Sequence, residues 1–538
     1  MKFHFNKYVV MLIAGLFYSA GLSAQPSDTL GWITIERVEN TNVWLASENV
    51  AGLHILPAMK ISNVEGYLDK GNGGFVNYNE SPDYLKMGLL AESYYRLNPK
   101  IVFYGLMNYS NFAGKDMAGS SLIDPSDSPF NIVEFSDDNR GKKSLENYHL
   151  AGALSVDFSK QISFGAKADY VTASYAKMKD LRHRNNLLDM SLSAGVIWKL
   201  GTNFKLGVNY QYRRRVEGLY FDIYGQTDKS YYSLVDYGVF WGKVEQFGEN
   251  GYTNEGEEKP LVDNYNGASL QLNWNSDDNW QMLMEFNGDY RSGYYGNKAP
   301  SKIVHTIHDG LNLSYRASLS KKSQSQFNRL NWGVEYNYLS NEENLYLYNN
   351  VGGITFIDYY GSSDTGNRTK IKADIDYVGY FQMVDNQPIW EIKAGVHYLY
   401  SDIIGIIYPY NRSRNLHSGN ITLSGDYSIY KDKRSYTFHL GTKFHSGFGE
   451  PFIDGSYGTP PASSNMPKSM NLYLMQEYEF LTKSHINPEL GFRYSQKINS
   501  KGVKIYLSLC YGFTKGFDIE YMRGDMFHNG QISIGCLF

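Results

Sequence analysis

The chain has 538 residues, among them 47 Tyr, 52 Gly and only two Cys, and a formal net charge of −4. So small a charge excludes the basic footprint of a nucleic-acid partner, and two cysteines exclude a disulfide-built scaffold. Beyond the amino terminus no apolar run is long enough for a membrane helix.

At the amino terminus Lys2 and Lys7 precede an apolar run from Tyr8 to Leu22, and Ser23-Ala24 suits cleavage before Gln25. Residues 1–24 thus read as a signal peptide, 25–55 as an amino-terminal segment and 56–538 as one all-β unit. No cysteine stands at the cleavage position, which argues against a lipid anchor and for a protein held by its own fold.

Strand-like alternation follows, acceptable in Leu56–Leu68, Leu85–Leu97 and Ile101–Phe112 and sharper in Asn147–Phe158 with Gln161–Tyr175. It is cleanest between Leu188 and Arg213. There Leu188, Met190, Leu192, Val196 and Trp198 share one face against Asp189, Ser191, Ser193 and Lys199, and Gly201-Thr202-Asn203 turns the chain into Phe204, Leu206, Val208 and Tyr210. Further pairs are Ala268–Trp274 with Trp280–Tyr290, Leu311–Leu319 with Phe327–Leu339, Ile371–Phe381 with Ile389–Tyr400, and Ile421–Tyr430 with Tyr436–Phe444. Asn471–Phe480, Leu490–Lys497, Val503–Phe513 and Phe527–Phe538 complete about nineteen segments, an odd number where single-chain bacterial barrels have an even one, so one is misassigned.

The expectation is a transmembrane antiparallel β-barrel of about 16–18 strands, because lipid offers no hydrogen-bond partner to an open sheet edge. A soluble β-sandwich also alternates, but Trp and Tyr at strand ends with charges on the opposite face fit a lipid exterior and a wet interior better. The long polar joins Gly114–Leu145, Arg214–Tyr265, Gly293–Lys302, Ser340–Arg368 and Gly447–Met466 should face outside. Tyr231, Tyr232, Tyr237 and Trp241 in the longest leave room for a folded lid or a docking surface. Parity places Cys510 with the polar set and Cys536 with Ile532 and Ile534, so the sulfurs should lie on opposite faces of the wall.

By the same parity Lys199, Lys205, Arg213, Glu285, Arg291, Glu391, Lys393, His439, Lys443 and Arg493 should line the lumen. Both signs are present, which favours internal ion-pair networks or a neutral solute over a charge-selective filter. The plainer reading is charges that brace and hydrate the inner wall. His305 and His308, three apart, should point to opposite faces, and His439 and His445 are about 20 Å apart along a strand, so neither pair suits a metal. The acidic stretch Asp124–Asp138 lacks calcium-loop spacing, and no nucleophile, base and orienting acid come together locally. The expectation is a non-enzymatic protein with no catalytic residue, metal or cofactor.

The last residues, Gln531 to Phe538, alternate and end on an aromatic, the form of a bacterial outer-membrane barrel, which predicts contact with outer-membrane lipid and recognition of this strand by barrel-assembly machinery. The stretch Val43–Leu53, with Asn49-Val50-Ala51-Gly52, resembles the Asn-Pro-Ala-Gly-like element near the start of long-chain fatty-acid transporter barrels, with Val50 at the proline position. In that family such a segment lies in the lumen as a small plug. The resemblance therefore implies a plug or gate at Trp44, Asn49, Gly52 and Leu53. In size, tyrosine richness and terminal Phe the whole chain resembles Bacteroidota outer-membrane barrels of unassigned function. The function expected is a channel or facilitated transporter for a small solute. The alternative is a non-conducting accessory or scaffold subunit of a surface uptake or secretion complex, with a TonB-dependent receptor or surface lipoprotein as partner. A surface hydrolase ranks third.

Overall fold

Alternation with a two-residue period gives each strand an apolar and a polar face, and a sheet so patterned can hide every backbone edge only by closing. In the computed structural model, which describes residues 32–56, 60–225, 228–249, 251–254, 256–384, 387–461, 465–498 and 502–538, eighteen antiparallel strands do close into a barrel. The signal-peptide reading of residues 1–24 lies outside these residues. Neighbours in sequence pair around the wall, and the last strand, Met526–Leu537, pairs with the first, Lys60–Gly73. Phe538 continues the ladder, its N–H donating to the Ser62 carbonyl at 2.9 Å while the Ser62 N–H donates to the Phe538 carbonyl at 2.8 Å.

Outward positions are apolar: Leu192, Val208, Phe286, Ile375, Leu423 and Ile534 are all exposed on the wall. Near the short turns stand Trp198, Phe204, Trp274 and Trp390, with Trp274 directly across from Phe204 and Trp390 across from Tyr427. Such an apolar band ending in aromatics is what a barrel presents to lipid and its interface. Among the described residues no helix is long and apolar enough to cross a membrane. Both cysteines are free.

Three expectations are corrected. The supernumerary segment is Asn471–Phe480, which forms an α-helix, Asn471–Thr482. Its buried Tyr473, Gln476, Glu479 and Thr482 recur every third residue, a helical rather than a strand period. The first strand begins at Lys60, not Leu56, which ends a 3-10 turn. The join Ser340–Arg368 is not a loop: Gln326–Val351 and Ile354–Phe381 run on as a hairpin arm turned by Gly352 and Gly353, both at positive φ. A fourth correction concerns the interior, which is not simply wet. Buried apolar clusters fill both ends of the lumen.

Candidate functional site

At the short-turn end the lumen receives the amino-terminal segment, a one-and-a-half-turn helix, Ile35–Asn40, and 3-10 turns Val43–Ala46 and Val50–Ile55. Each begins with a side chain that turns back onto its own backbone: Thr34 accepts from the Arg37 N–H, Asn42 from Trp44 and Asn49 from Ala51. Such local satisfaction lets a short segment hold its shape away from the sheet.

Asn49 is the most heavily bonded of the four residues expected to form a plug or gate. Its Nδ2 donates to the carbonyls of Val196 and Val208, both at 3.1 Å, and to Gln271 Oε1 at 2.9 Å. The wall is cut away to admit it. A Cβ at Gly165 would overlap the Val50–Ala51 backbone, and one at Gly195 or Gly207 would overlap the Asn49 amide. Trp44 is 1% exposed, among Val43, Ala51, Ile197 and Leu283, and Gly52 lies so close that a Cβ there would meet the Trp44 carbonyl at 2.9 Å. Leu53 joins Tyr94, Val102 and Ala153. Burial pushes the His54 imidazole down to about 4, although its Nδ1 donates to the Ala51 carbonyl at 2.6 Å.

The predicted luminal residues do not converge on one point. Two are engaged by the plug: Glu285 accepts from the Glu48 N–H at 3.2 Å, and Lys393 pairs with Glu36 and, at 3.0 Å, with Glu391. Lys199 and Lys205 face each other across adjacent strands beside the plug, Lys199 lying 3.9 Å from Asp157. Arg213 forks onto Asp189 at 2.8 and 2.6 Å, Arg291 bonds Asp263 at 2.8 Å, and His439 bonds Asp426 at 2.6 Å. Arg493 lies over the Tyr506 ring at 3.7 Å, and Lys443 is in register with Thr422 and Asn487. Arg96, which donates to the His54 and Leu56 carbonyls, and Arg329, which donates to those of Glu39 and Asn40, are further plug anchors. Neither residue stands out in the sequence as a partner of the plug.

The other end is closed from outside. Segments 118–140, 231–247 and 468–482 fold inward, and short strands Asn131–Glu134, Tyr232–Asp236, Trp241–Gln246 and Lys468–Ser469 form a second, four-stranded sheet. One side of this lid packs Phe130, Ile132, Val235, Tyr237, Tyr252 and Tyr295 together; the other packs Val133, Leu234 and Phe240 against Tyr473 and Leu474 of the helix. Lid and wall are tied by buried polar links. Lys177 pairs with Glu134, Lys143 Nζ donates to the carbonyls of Ala118 and Ser120, and Arg414 meets Glu477 at 2.6 Å. The Glu479 carboxylate accepts from the N–H groups of Glu520, Tyr521 and Met522. Burial pushes the Asp236 carboxyl up to about 7 despite bonds from the N–H groups of Gly238 and Trp241.

His305 and His308 are both buried inside, contrary to the parity argument. A register shift beside Gly296 leaves His305 unpaired and turns it onto Tyr252, ring centroids 4.8 Å apart, while His308 bonds Asp263 at 2.7 Å. Even so, no group of potential metal ligands is found among the described residues.

Between plug and lid remains open space. A cavity of about 540 Å³ lies under the lid, lined by Phe130, Tyr237 and Phe240 and by Arg368, Lys370 and Arg414 of the wall. Two more, of about 480 and 430 Å³, flank Glu39–Ser47, one toward Tyr94, His149 and Arg213, the other toward Glu285, Arg316 and Arg329.

Among solved structures the chain is similar to BauA, the ferric preacinetobactin receptor of Acinetobacter baumannii, at 9% identity and a TM-score of 0.39, over 89% of this chain and 79% of that one. It is also similar to the CymD monoaromatic hydrocarbon channel, at 10% identity and 0.32 over 95% and 98%, and to a Pseudomonas aeruginosa FadL homologue, at 10% and 0.31 over 96% and 98%. No curated protein matches the chain. Residues 50–538, the second plug turn and the whole barrel, match the model of a family of unknown function, DUF6850, and the chain belongs to that family.

Proposed function

We propose that this protein is a gated barrel of the bacterial outer membrane, of the Bacteroidota kind, that passes a small solute through its lumen. The observation that supports this most is the set of cavities held between two inward closures, each fixed by side-chain bonds rather than by covalent links. A structural barrel needs no internal void, and a plug seated on glycines, side-chain hydrogen bonds and apolar packing, with no strand pairing to the wall, can move without unfolding it. The chain is read as non-enzymatic, facing lipid and assembled through its last strand. In liposomes, deletion of Gln25–Gly52 should raise the entry rate of small sugars. A deleted barrel that stays sealed would count against the gate.

The second reading, a non-conducting accessory subunit of a surface complex, has its own support in the hairpin arm. Leu347, Val351, Ile354 and Tyr360 are each at least 60% exposed there, among the most exposed large side chains of the protein. Recovery of a stoichiometric partner with no solute entry in either form would favour it.

A further inference from the structure

The cavity beneath the lid has a cationic wall that the alternation hides, because it begins inside what reads as a loop. Arg368, Lys370 and Lys372 occupy successive inward positions of the strand Ile354–Phe381 and all line this cavity. Lys372 has a carboxylate partner, Glu335, at 3.2 Å. Arg368 and Lys370 are bonded instead to main-chain carbonyls of one short strap, Asp124–Pro129. Lys370 Nζ donates to the Ser126 carbonyl at 2.6 Å and Arg368 Nη1 to that of Ser128 at 3.3 Å. The nearest carboxylate of the strap, Asp127, stands off at 3.9 Å from Arg368 and 3.6 Å from Arg291. Arg291 is engaged by Asp263 through its Nε, and its Nη1 donates to the Asp127 carbonyl at 2.8 Å, so a third wall cation also holds the strap. Arg368 is 9% exposed, and its Nε and Nη2, like Arg414 Nη1, have no hydrogen-bond partner.

A buried guanidinium with two idle donors is costly, and neutral carbonyls are weaker partners for it than a carboxylate or phosphate would be. The strap is also a self-contained turn. The Asp124 carboxylate accepts from the N–H and hydroxyl of Ser126, and the Ser128 hydroxyl donates to the Asp124 carbonyl, so the turn holds its own shape between Pro125 and Pro129. Its acidic tip, Asp127, is 39% exposed.

We propose that Arg368 and Lys370 form a binding site for an anionic group of the solute, a carboxylate or phosphate, and that the strap Asp124–Pro129 is an internal stand-in which the solute displaces. Resting on the chamber being a solute path, this names the chemical class that the path selects. Arg213, Lys372 and Lys393 are matched by carboxylates of the wall or plug, whereas these two are held by main-chain carbonyls of a separate strap that lines the cavity.

The test is calorimetric titration of the full-length protein in detergent with succinate, inorganic phosphate and, as a neutral control, glucose. Saturable binding of at least one anion and none of glucose is expected. Asp127→Asn, which weakens the stand-in, should bind the anion more tightly, and Arg368→Gln/Lys370→Gln should bind it about tenfold more weakly or not at all. Arg368→Lys/Lys370→Arg keeps both charges and should retain binding, which separates loss of the site from loss of the fold. Equal anion affinity in the wild type and the Gln pair, or no anion binding by either the wild type or Asp127→Asn, would overturn the site. Entry of succinate and of small sugars into liposomes, measured separately, tells the two proposals apart. A sealed barrel that binds anions overturns passage alone, and an open barrel that does not bind them overturns the site alone.

Discussion

Asn49 concentrates the energetics of the plug. Three acceptors from three different strands meet its one amide nitrogen, and Gly195 and Gly207 leave the space it fills. Asn49→Ala should loosen the plug by about 1–3 kcal/mol, the range for leaving buried polar groups unmatched. Hydrogen exchange over residues 43–55 should then quicken while exchange in the wall strands stays unchanged. Gly195→Val attacks the same contact from the wall, since its Cβ would overlap the Asn49 side chain. It should expose the plug to limited proteolysis without lowering the thermal stability of the barrel. If both variants leave the plug protected, the seat lies elsewhere.

At the scale of elements, plug and lid should respond to pH in opposite senses. His54 titrates at about 4 in the folded protein and near 6.5 when released, so between these values the released state holds the extra proton. The plug therefore loses stability as pH falls from about 6.5 to 4, by on the order of 3 kcal/mol. Asp236 is pushed up to about 7, so here the folded lid holds the extra proton, and the lid weakens as pH rises from about 4 to 7. Hydrogen-exchange protection, taken relative to the intrinsic rate at each pH, should be lower for the plug at pH 5 than at pH 7.5 and lower for 232–246 at pH 7.5 than at pH 5. The latch gives a sharper test. Glu134→Gln strands the buried Lys177 ammonium without a countercharge, a loss of about 3–5 kcal/mol when one partner of a buried pair is removed. It should release the lid sheet selectively, seen as exchange in residues 131–134 rising while the wall stays protected.

Sequence and structure diverge at this same scale, and the reasons are local. A wall strand announces itself because lipid forces every second residue to be apolar, as from Leu188 to Trp198. Lid and plug answer to no such rule. The lid strand Asn131–Glu134 is buried on both faces, so its four residues show no alternation to read. The helix Asn471–Thr482 carries enough apolar residues to mimic a strand over a few positions. His305 turns inward because one unpaired residue at a bulge reverses parity. Arg368 and Lys370 do keep the period, but the polar residues of the arm before them mask it. Asn49 and Gly52 were marked by resemblance rather than by pattern, and the glycines that receive them, Gly165, Gly195 and Gly207, look in sequence like ordinary small inward residues.

For the whole molecule, the wall is a closed hydrogen-bonded ladder, and plug and lid are held inside it by apolar packing and side-chain bonds without strand pairing to the wall. Such a division would let the proposed gate open without the barrel unfolding. It can be tested by locking the plug to the wall. A Cβ built at Gly195 lies 2.9 Å from Asn49 Cγ, close enough for Asn49→Cys and Gly195→Cys to bridge in a background with Cys510→Ser and Cys536→Ser. Entry of small sugars into liposomes, followed with this protein first oxidised and then reduced, is the most direct measurement. Slow entry when bridged and restored entry on reduction is the expected result. Equal entry in both states would contradict a gate at the plug.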